Sequence, residues 1–196
     1  MHTKDQLRAG VRGFCVVLDQ VPIGFYWEWI FYPKLETTRE FPLDNAMQMI
    51  RNATIESSLF AIRTIDEFFF QGGRSTDIRA HHYDGFVNPG PFLATEERGK
   101  VSQRIAHLTI DRAENPQLPW RITLLIERTY RQAAHFLKFI LSEAGAEFRP
   151  VPQEFDVQSR LELCSRIDEW MQKHLHKAQE NKSVPEASET KQEEKS

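Results

Sequence analysis

Arginine and histidine side chains at short spacings are the groups in this sequence with the clearest potential for chemistry. Arg74 precedes His81, with the six residues STDIRA between them. Arg104 and His107 are three positions apart, which on a helix places them on one flank. A guanidinium holds a phosphate with paired hydrogen bonds, and an imidazole transfers protons near neutral pH. These residues are therefore candidate catalytic groups, and a surface charge network is the alternative.

The loop that contains His81 also contains His82, Asp77 and Asp84, which raises the question of a metal site. Adjacent histidines point in different directions, and no recognised ligand spacing is present. Motifs for phosphate loops, zinc proteases, redox dithiols and serine hydrolases are missing as well. We therefore predict no metal and no cofactor, and we expect the loop histidines to be exposed to solvent.

Charged residues also occupy the most strongly predicted helix, residues 44–70. Asp66 falls in the middle of its apolar stripe, and Glu56 and Arg63 lie along the edge. Arg112 interrupts the apolar stripe of a later helix in the same way. Because burying an unpaired ion is costly, we expect Arg112 to pair with Asp66 or Glu56. The sequence predicts this buried charge network as a device that specifies how the helices pack.

Helical periodicity runs through most of the chain and predicts an all-α, single-domain helical bundle of about five helices. The predicted helices span residues 4–18, 44–70, from 95 onwards, 120–143 and from 156 to about 175. Residues 1–176 form the predicted bundle domain. Residues 177–196 contain almost nothing apolar and are predicted to be a disordered polar tail.

Composition narrows the functional classes only slightly. The formal net charge of -3 gives no overall attraction for nucleic acid, although residues 98–138 carry eight Lys or Arg against three acidic residues. Cys15 and Cys164 lack any framework spacing and are predicted to be buried and reduced. No uncharged run approaches the roughly 20 residues of a spanning helix, and the first residues do not form a signal peptide. We therefore expect a soluble, cytoplasmic protein with no membrane partner.

The helical pattern, the long charged helix and the spacing of Arg74 and His81 together resemble the HEPN proteins. These are all-helical bacterial and archaeal domains, many of them metal-independent RNases of toxin and phage-defence systems, and often dimeric. Their signature is an arginine, commonly followed by a polar residue such as Ser75 here, and then a histidine. The resemblance covers residues 44–143. It implies RNA as partner, with the arginine holding the scissile phosphate and the histidine as general acid or base while the 2′-hydroxyl attacks.

Two other interpretations remain open at this level. The first is a non-catalytic helical interaction module, such as a homodimer, because six aromatic residues crowd into positions 25–32. The same aromatic residues could stack on nucleobases or fold over the core. The second is a small-molecule pocket around Glu56, Arg63 and Arg112.

Overall fold

Five α-helices and two short 3₁₀ turns make up the regular structure of the described chain. The computed structural model describes residues 2–23, 44–106, 122–151 and 156–180, with the backbone alone for residues 44–52, 103–106 and 174–180. The helices are α1 (Lys4–Gln20), α2 (Asp44–Phe69), α3 (Thr95–Ala106), α4 (Ile122–Leu141) and α5 (Val157–Glu180). Within these ranges there is no strand, so the predicted all-α bundle of about five helices is confirmed.

α1 begins with a reciprocal cap and continues as an amphipathic helix. The Thr3 hydroxyl accepts a hydrogen bond from the Gln6 backbone N–H at 3.2 Å, and the Gln6 side chain accepts one from the Thr3 N–H at 2.8 Å. Capping of this kind satisfies amide groups that have no partner inside the helix. The helix continues through the apolar stretch around Cys15, in agreement with the predicted helix at residues 4–18.

α2 is the central helix of the bundle and packs against α1, α3 and α4. Its buried side chains recur at helical spacing and include Leu59, Ile62, Ile65 and Phe69. Asp66 lies among them with no exposed surface. Its contacts with three other helices make it the element that most of the described bundle packs on.

Aromatic rings fill the centre of the core. Phe136 of α4 lies 5.0 Å from the ring of Phe14 on α1 and 4.8 Å from that of Phe68 on α2, measured between centroids. The ring centroids of Tyr83 and Phe86 lie 5.0 and 5.3 Å from that of Phe136. Most of these pairs meet edge to face, the arrangement that the charge distribution of aromatic rings favours. The buried side chains form one continuous core.

α5 packs along α4 and is capped as the sequence predicts. The Asp156 carboxylate accepts a hydrogen bond from the Ser159 backbone N–H at 3.0 Å, which is the usual contact between a capping residue and the third residue of a helix. The helix continues to Glu180, four residues beyond the predicted domain boundary at 176. The remaining predicted tail, residues 181–196, lies outside the described residues.

The segment from residue 70 to residue 94, between α2 and α3, is tied to three helices although it contains only one 3₁₀ turn, Ala80–His82. The Tyr83 hydroxyl donates to the Leu7 carbonyl of α1 at 2.9 Å. The Asn88 side chain donates to the Phe69 carbonyl of α2 at 3.0 Å, and Gln132 of α4 donates to the Gly90 carbonyl at 2.8 Å. We call this segment the anchored loop. Its contacts place its residues against the ends of α1 and α2.

The structure also bears on the two cysteines and on the expected absence of a membrane-spanning helix. Cys15 and Cys164 are free and buried, as predicted, and burial raises the pKa of each thiol to about 12. Among the described helices, none combines the length and the apolar composition needed to cross a membrane. The aromatic residues at positions 25–32 lie outside the described part of the chain.

Candidate functional site

Asp66 holds the start of α3 and the end of the anchored loop against α2. One of its carboxylate oxygens accepts hydrogen bonds from the backbone N–H groups of Phe92 and Leu93 at 2.7 and 2.8 Å. The other lies 2.8 Å from Nη2 of Arg98 and 2.9 Å from its Nε. A buried carboxylate with this many donors is compensated, whereas an isolated one would not be.

The partner of Asp66 differs from the predicted one. Arg98, in the first turn of α3, forms the ion pair, while the predicted partner Arg112 lies outside the described residues. The helical pattern of the sequence could have identified Arg98 as a candidate partner of Asp66. Arg98 lies three and seven positions before Val101 and Ile105, which places it on the apolar face of the same helix. Arg98 is closer to the start of α3, where that helix meets the end of α2.

The other predicted members of the charge network lie on α2. Arg63 donates to the Glu67 carboxylate at 2.8 Å, one helical turn away. The two side chains are 35% and 41% exposed. Glu56 is half-buried nearly two turns before Arg63. The predicted pocket around Glu56, Arg63 and Arg112 stays a prediction because Arg112 is not described.

Arg79, which the sequence did not single out, closes the end of α2. Its guanidinium donates to the Glu67 carbonyl and, at 2.8 Å, to the Asp77 carboxylate. Gly73 makes room for it: the backbone there has a φ of 145°, and a Cβ atom would lie 2.6 Å from an Arg79 nitrogen. These donor contacts and the N–H of Arg74 hold the pKa of the Asp77 carboxyl below its usual range.

A cleft of about 370 Å³ lies at this end of α2, and we call it the arginine cleft. Three arginines, Arg74, Arg79 and Arg98, line it. The Arg98 guanidinium lies over the Phe70 ring, 5.2 Å from its centroid. The other lining residues are Glu67, Phe70, Gly72, Gly73 and Asp77.

Arg74 differs from the other two arginines of the cleft in its charge environment. Arg79 pairs with Asp77, and Arg98 pairs with Asp66. Within the described part of the chain Arg74 forms no ion pair. Its backbone N–H donates to the Asp77 carboxylate at 3.1 Å, and its carbonyl accepts a hydrogen bond from the Asp77 N–H at 3.0 Å. Among the described residues, the ion pairs therefore leave one positive charge at the cleft without a carboxylate of its own, on the exposed side chain of Arg74.

The predicted histidine partner lies on the same loop but does not line this cleft. His81 is exposed, as expected, and its ring centroid lies 4.1 Å from that of His82, with the two ring planes tilted by 51°. His82 is half-buried and accepts a hydrogen bond from the Arg79 backbone N–H at 2.9 Å. Burial, together with the neighbouring His81 and His2 rings, holds the pKa of His82 below its usual range. The lowered pKa favours the neutral form of the His82 imidazole.

The side chains of the second predicted pair, Arg104 and His107, lie outside the described part of the structure. Arg104 lies in α3, but only its backbone is described, and His107 lies outside the described residues. The assignment of Arg104 and His107 as candidate catalytic groups stays a prediction. Among the described side chains, no three metal-ligating groups are placed so that they could hold an ion.

The basic zone at residues 98–138 carries less free charge than its composition indicates. Arg128 forms two hydrogen bonds with the Glu97 carboxylate at 2.8 and 2.9 Å. Lys100 pairs with Glu96, and Arg131 with Glu127. Such pairs reduce the long-range field of the surface. At the arginine cleft, the positive charge without an ion pair among the described residues is that of Arg74.

Comparison with known proteins adds no further assignment. No family model matches the chain, and neither a curated protein nor a solved structure matches it.

Proposed function

We propose that the protein binds RNA and that Arg74 contacts the phosphate backbone at the arginine cleft. The observation that carries this proposal is the uncompensated guanidinium of Arg74 beside two further arginines. A phosphate group placed there would form charge-assisted hydrogen bonds without displacing an existing ion pair. The two paired arginines would add hydrogen-bond donors without adding net charge.

The resemblance to HEPN proteins extends this proposal to metal-independent cleavage. In that reaction the 2′-oxygen of the RNA attacks the adjacent phosphorus, and the bond from phosphorus to the 5′-oxygen of the next nucleotide breaks. Arg74 would stabilise the negative charge that develops on the phosphate oxygens. His81, which is exposed on the same loop, would remove the 2′-hydroxyl proton or protonate the leaving oxygen.

Binding is tested with a fluorescently labelled single-stranded RNA and anisotropy measurements in EDTA. We expect Arg74→Ala to weaken binding about tenfold and to reduce the salt dependence by about one phosphate contact. The matched control is Arg131→Ala, since Arg131 is 61% exposed on α4 and already paired with Glu127. Equal affinity of wild type and Arg74→Ala, or equal losses in the two variants, would exclude the proposed contact.

Cleavage is tested on the same RNA by gel electrophoresis, again in EDTA. His81→Ala should abolish cleavage and leave binding unchanged, because its imidazole is assigned to proton transfer alone. Undiminished cleavage by an Arg74→Ala, His81→Ala double variant would remove both residues from the reaction.

A second candidate function is a non-catalytic interaction module that forms a homodimer. Among the described residues, the observation in favour of a homodimer is that Phe60 of α2 is 53% exposed. Large exposed apolar side chains are typical of association surfaces when they occur together. The aromatic residues at positions 25–32, which first suggested this function, lie outside the described residues. With either function we place the protein in the cytoplasm.

A further inference from the structure

A groove of about 320 Å³ lies between α1 and α2. We call it the α1–α2 groove. Its apolar wall is formed by Phe14 and Val17 of α1, Ile65 and Phe68 of α2, and Ile78 of the anchored loop. The remaining lining residues are Gly10, Gly13, Thr64, Glu67, Asp77 and Arg79. Its volume lies at the lower end of the range for small-molecule sites.

Gly13 keeps this groove open. Glycine inside a helix is unfavourable relative to alanine, so its presence calls for a reason. Packing supplies that reason at Gly10, where a Cβ atom would lie 2.6 Å from the Tyr83 hydroxyl oxygen. At Gly13 a Cβ atom would meet no atom of the described residues within 4 Å, outside its own helix backbone and chain neighbours. Among these residues no close contact calls for glycine at position 13, and its missing side chain leaves the groove open.

The α1–α2 groove adjoins the arginine cleft. Glu67, Asp77 and Arg79 line both, so one ligand can contact the two at once. The ion pairs of Arg79 with Asp77 and of Arg63 with Glu67 neutralise the charges along this shared border. Beyond it, the uncompensated charge is that of Arg74. The combined surface is thus apolar at one end and carries a single positive charge at the other.

We propose that the α1–α2 groove and the arginine cleft together bind a small amphipathic carboxylate. An apolar body of about ten heavy atoms fills the groove over Gly13, at roughly the volume of one water per atom. The carboxylate reaches Arg74 past the Arg79–Asp77 pair. RNA has no apolar segment for the groove, so this ligand is different from the one proposed above. The two ligands share Arg74 and compete for it.

Isothermal titration calorimetry with decanoate tests the site directly. Acetate, which lacks the apolar body, and decanol, which lacks the charge, should both bind more weakly than decanoate. Gly13→Leu fills the groove and should weaken decanoate binding about tenfold or more. The matched control is Gly99→Leu, because Gly99 also lies inside a helix, α3, and no atom of the described chain beyond its own helix backbone and chain neighbours is within 4 Å of an added Cβ. This control should bind decanoate as the wild type does.

A second variant and the RNA measurement separate this proposal from the proposed function. Thr64→Tyr narrows the groove from the α2 side and should weaken decanoate binding if Gly13→Leu fails to fold, as judged by circular dichroism. Gly13→Leu should leave RNA affinity unchanged, whereas Arg74→Ala should weaken both ligands. Wild-type affinity for decanoate in folded Gly13→Leu and Thr64→Tyr variants, or no decanoate binding by the wild type, would overturn the proposal whatever the RNA result.

Discussion

Replacing Asp66 by alanine would remove the acceptor that joins α2 to the anchored loop and to α3. The Phe92 and Leu93 amides and the Arg98 guanidinium all donate to its carboxylate, at 2.7 to 2.9 Å. Alanine supplies no replacement acceptor. The variant therefore leaves backbone donors unsatisfied and a cation without its counter-ion.

The expected loss follows from these groups. A buried donor left unsatisfied costs about 1–3 kcal/mol, and breaking one side of a buried ion pair costs about 3–5 kcal/mol in total. Arg98 is 24% exposed, so water can rehydrate part of its guanidinium. We therefore expect Asp66→Ala to lower the free energy of unfolding by about 3 kcal/mol. This is a large fraction of the roughly 5–15 kcal/mol by which a typical domain is stable.

Urea unfolding followed by circular dichroism measures this loss. Glu97→Ala serves as the control on α3, since Glu97 and Arg128 form a surface pair with 33% and 38% exposure, worth under about 1 kcal/mol. Adding Arg98→Met to Asp66→Ala should recover part of the stability, because the unpaired cation is then gone. If Asp66→Ala loses no more than Glu97→Ala, the assigned role of Asp66 is refuted.

Two further predictions concern buried groups. Tyr83→Phe removes the hydrogen bond to the Leu7 carbonyl and should cost about 1 kcal/mol in the same urea assay; unchanged stability would contradict the anchoring role. The thiols of Cys15 and Cys164 have a pKa of about 12 when folded, against an ordinary value of 9.0. The folded state therefore keeps protons that the unfolded state loses between these values, and stability should fall as pH rises from 9 towards 12. Urea midpoints at pH 8 and pH 10 measure this decline, which should be smaller in a Cys15→Ala, Cys164→Ala variant.

The helices and the burial of Asp66 could be predicted because both follow from local periodicity. The 3.6-residue repeat of apolar side chains places Asp66 inside the stripe of α2 whatever the neighbouring helices do. The need for a cationic partner follows from the cost of burying charge. Which arginine supplies it depends on where α3 crosses α2, and periodicity carries no information about that crossing.

Of the three arginines that line the arginine cleft, Arg74 was the one that the sequence singled out. Arg79 reaches the cleft because the loop turns back on the end of α2 at Gly73, and a loop without periodicity gives no means of placing it. The path of the same loop also decides that Arg74 lines the cleft and His81 does not, and the spacing of the two residues carries no information about that path. Gly13 was visible in the sequence as a weak point of α1, but its use became apparent only from the space above it.

The anchored loop has a consequence for how this chain can vary. Its attachments use carbonyl and amide groups of its own backbone, such as the Gly90 carbonyl and the Phe92 and Leu93 amides, at fixed distances along the segment. Substitution of exposed residues such as Val87 leaves those groups in place. Insertion or deletion of a residue shifts them relative to their partners on α2 and α4. In contrast to ordinary surface connections, which tolerate changes in length, this segment must keep its length more strictly than its exposed side chains.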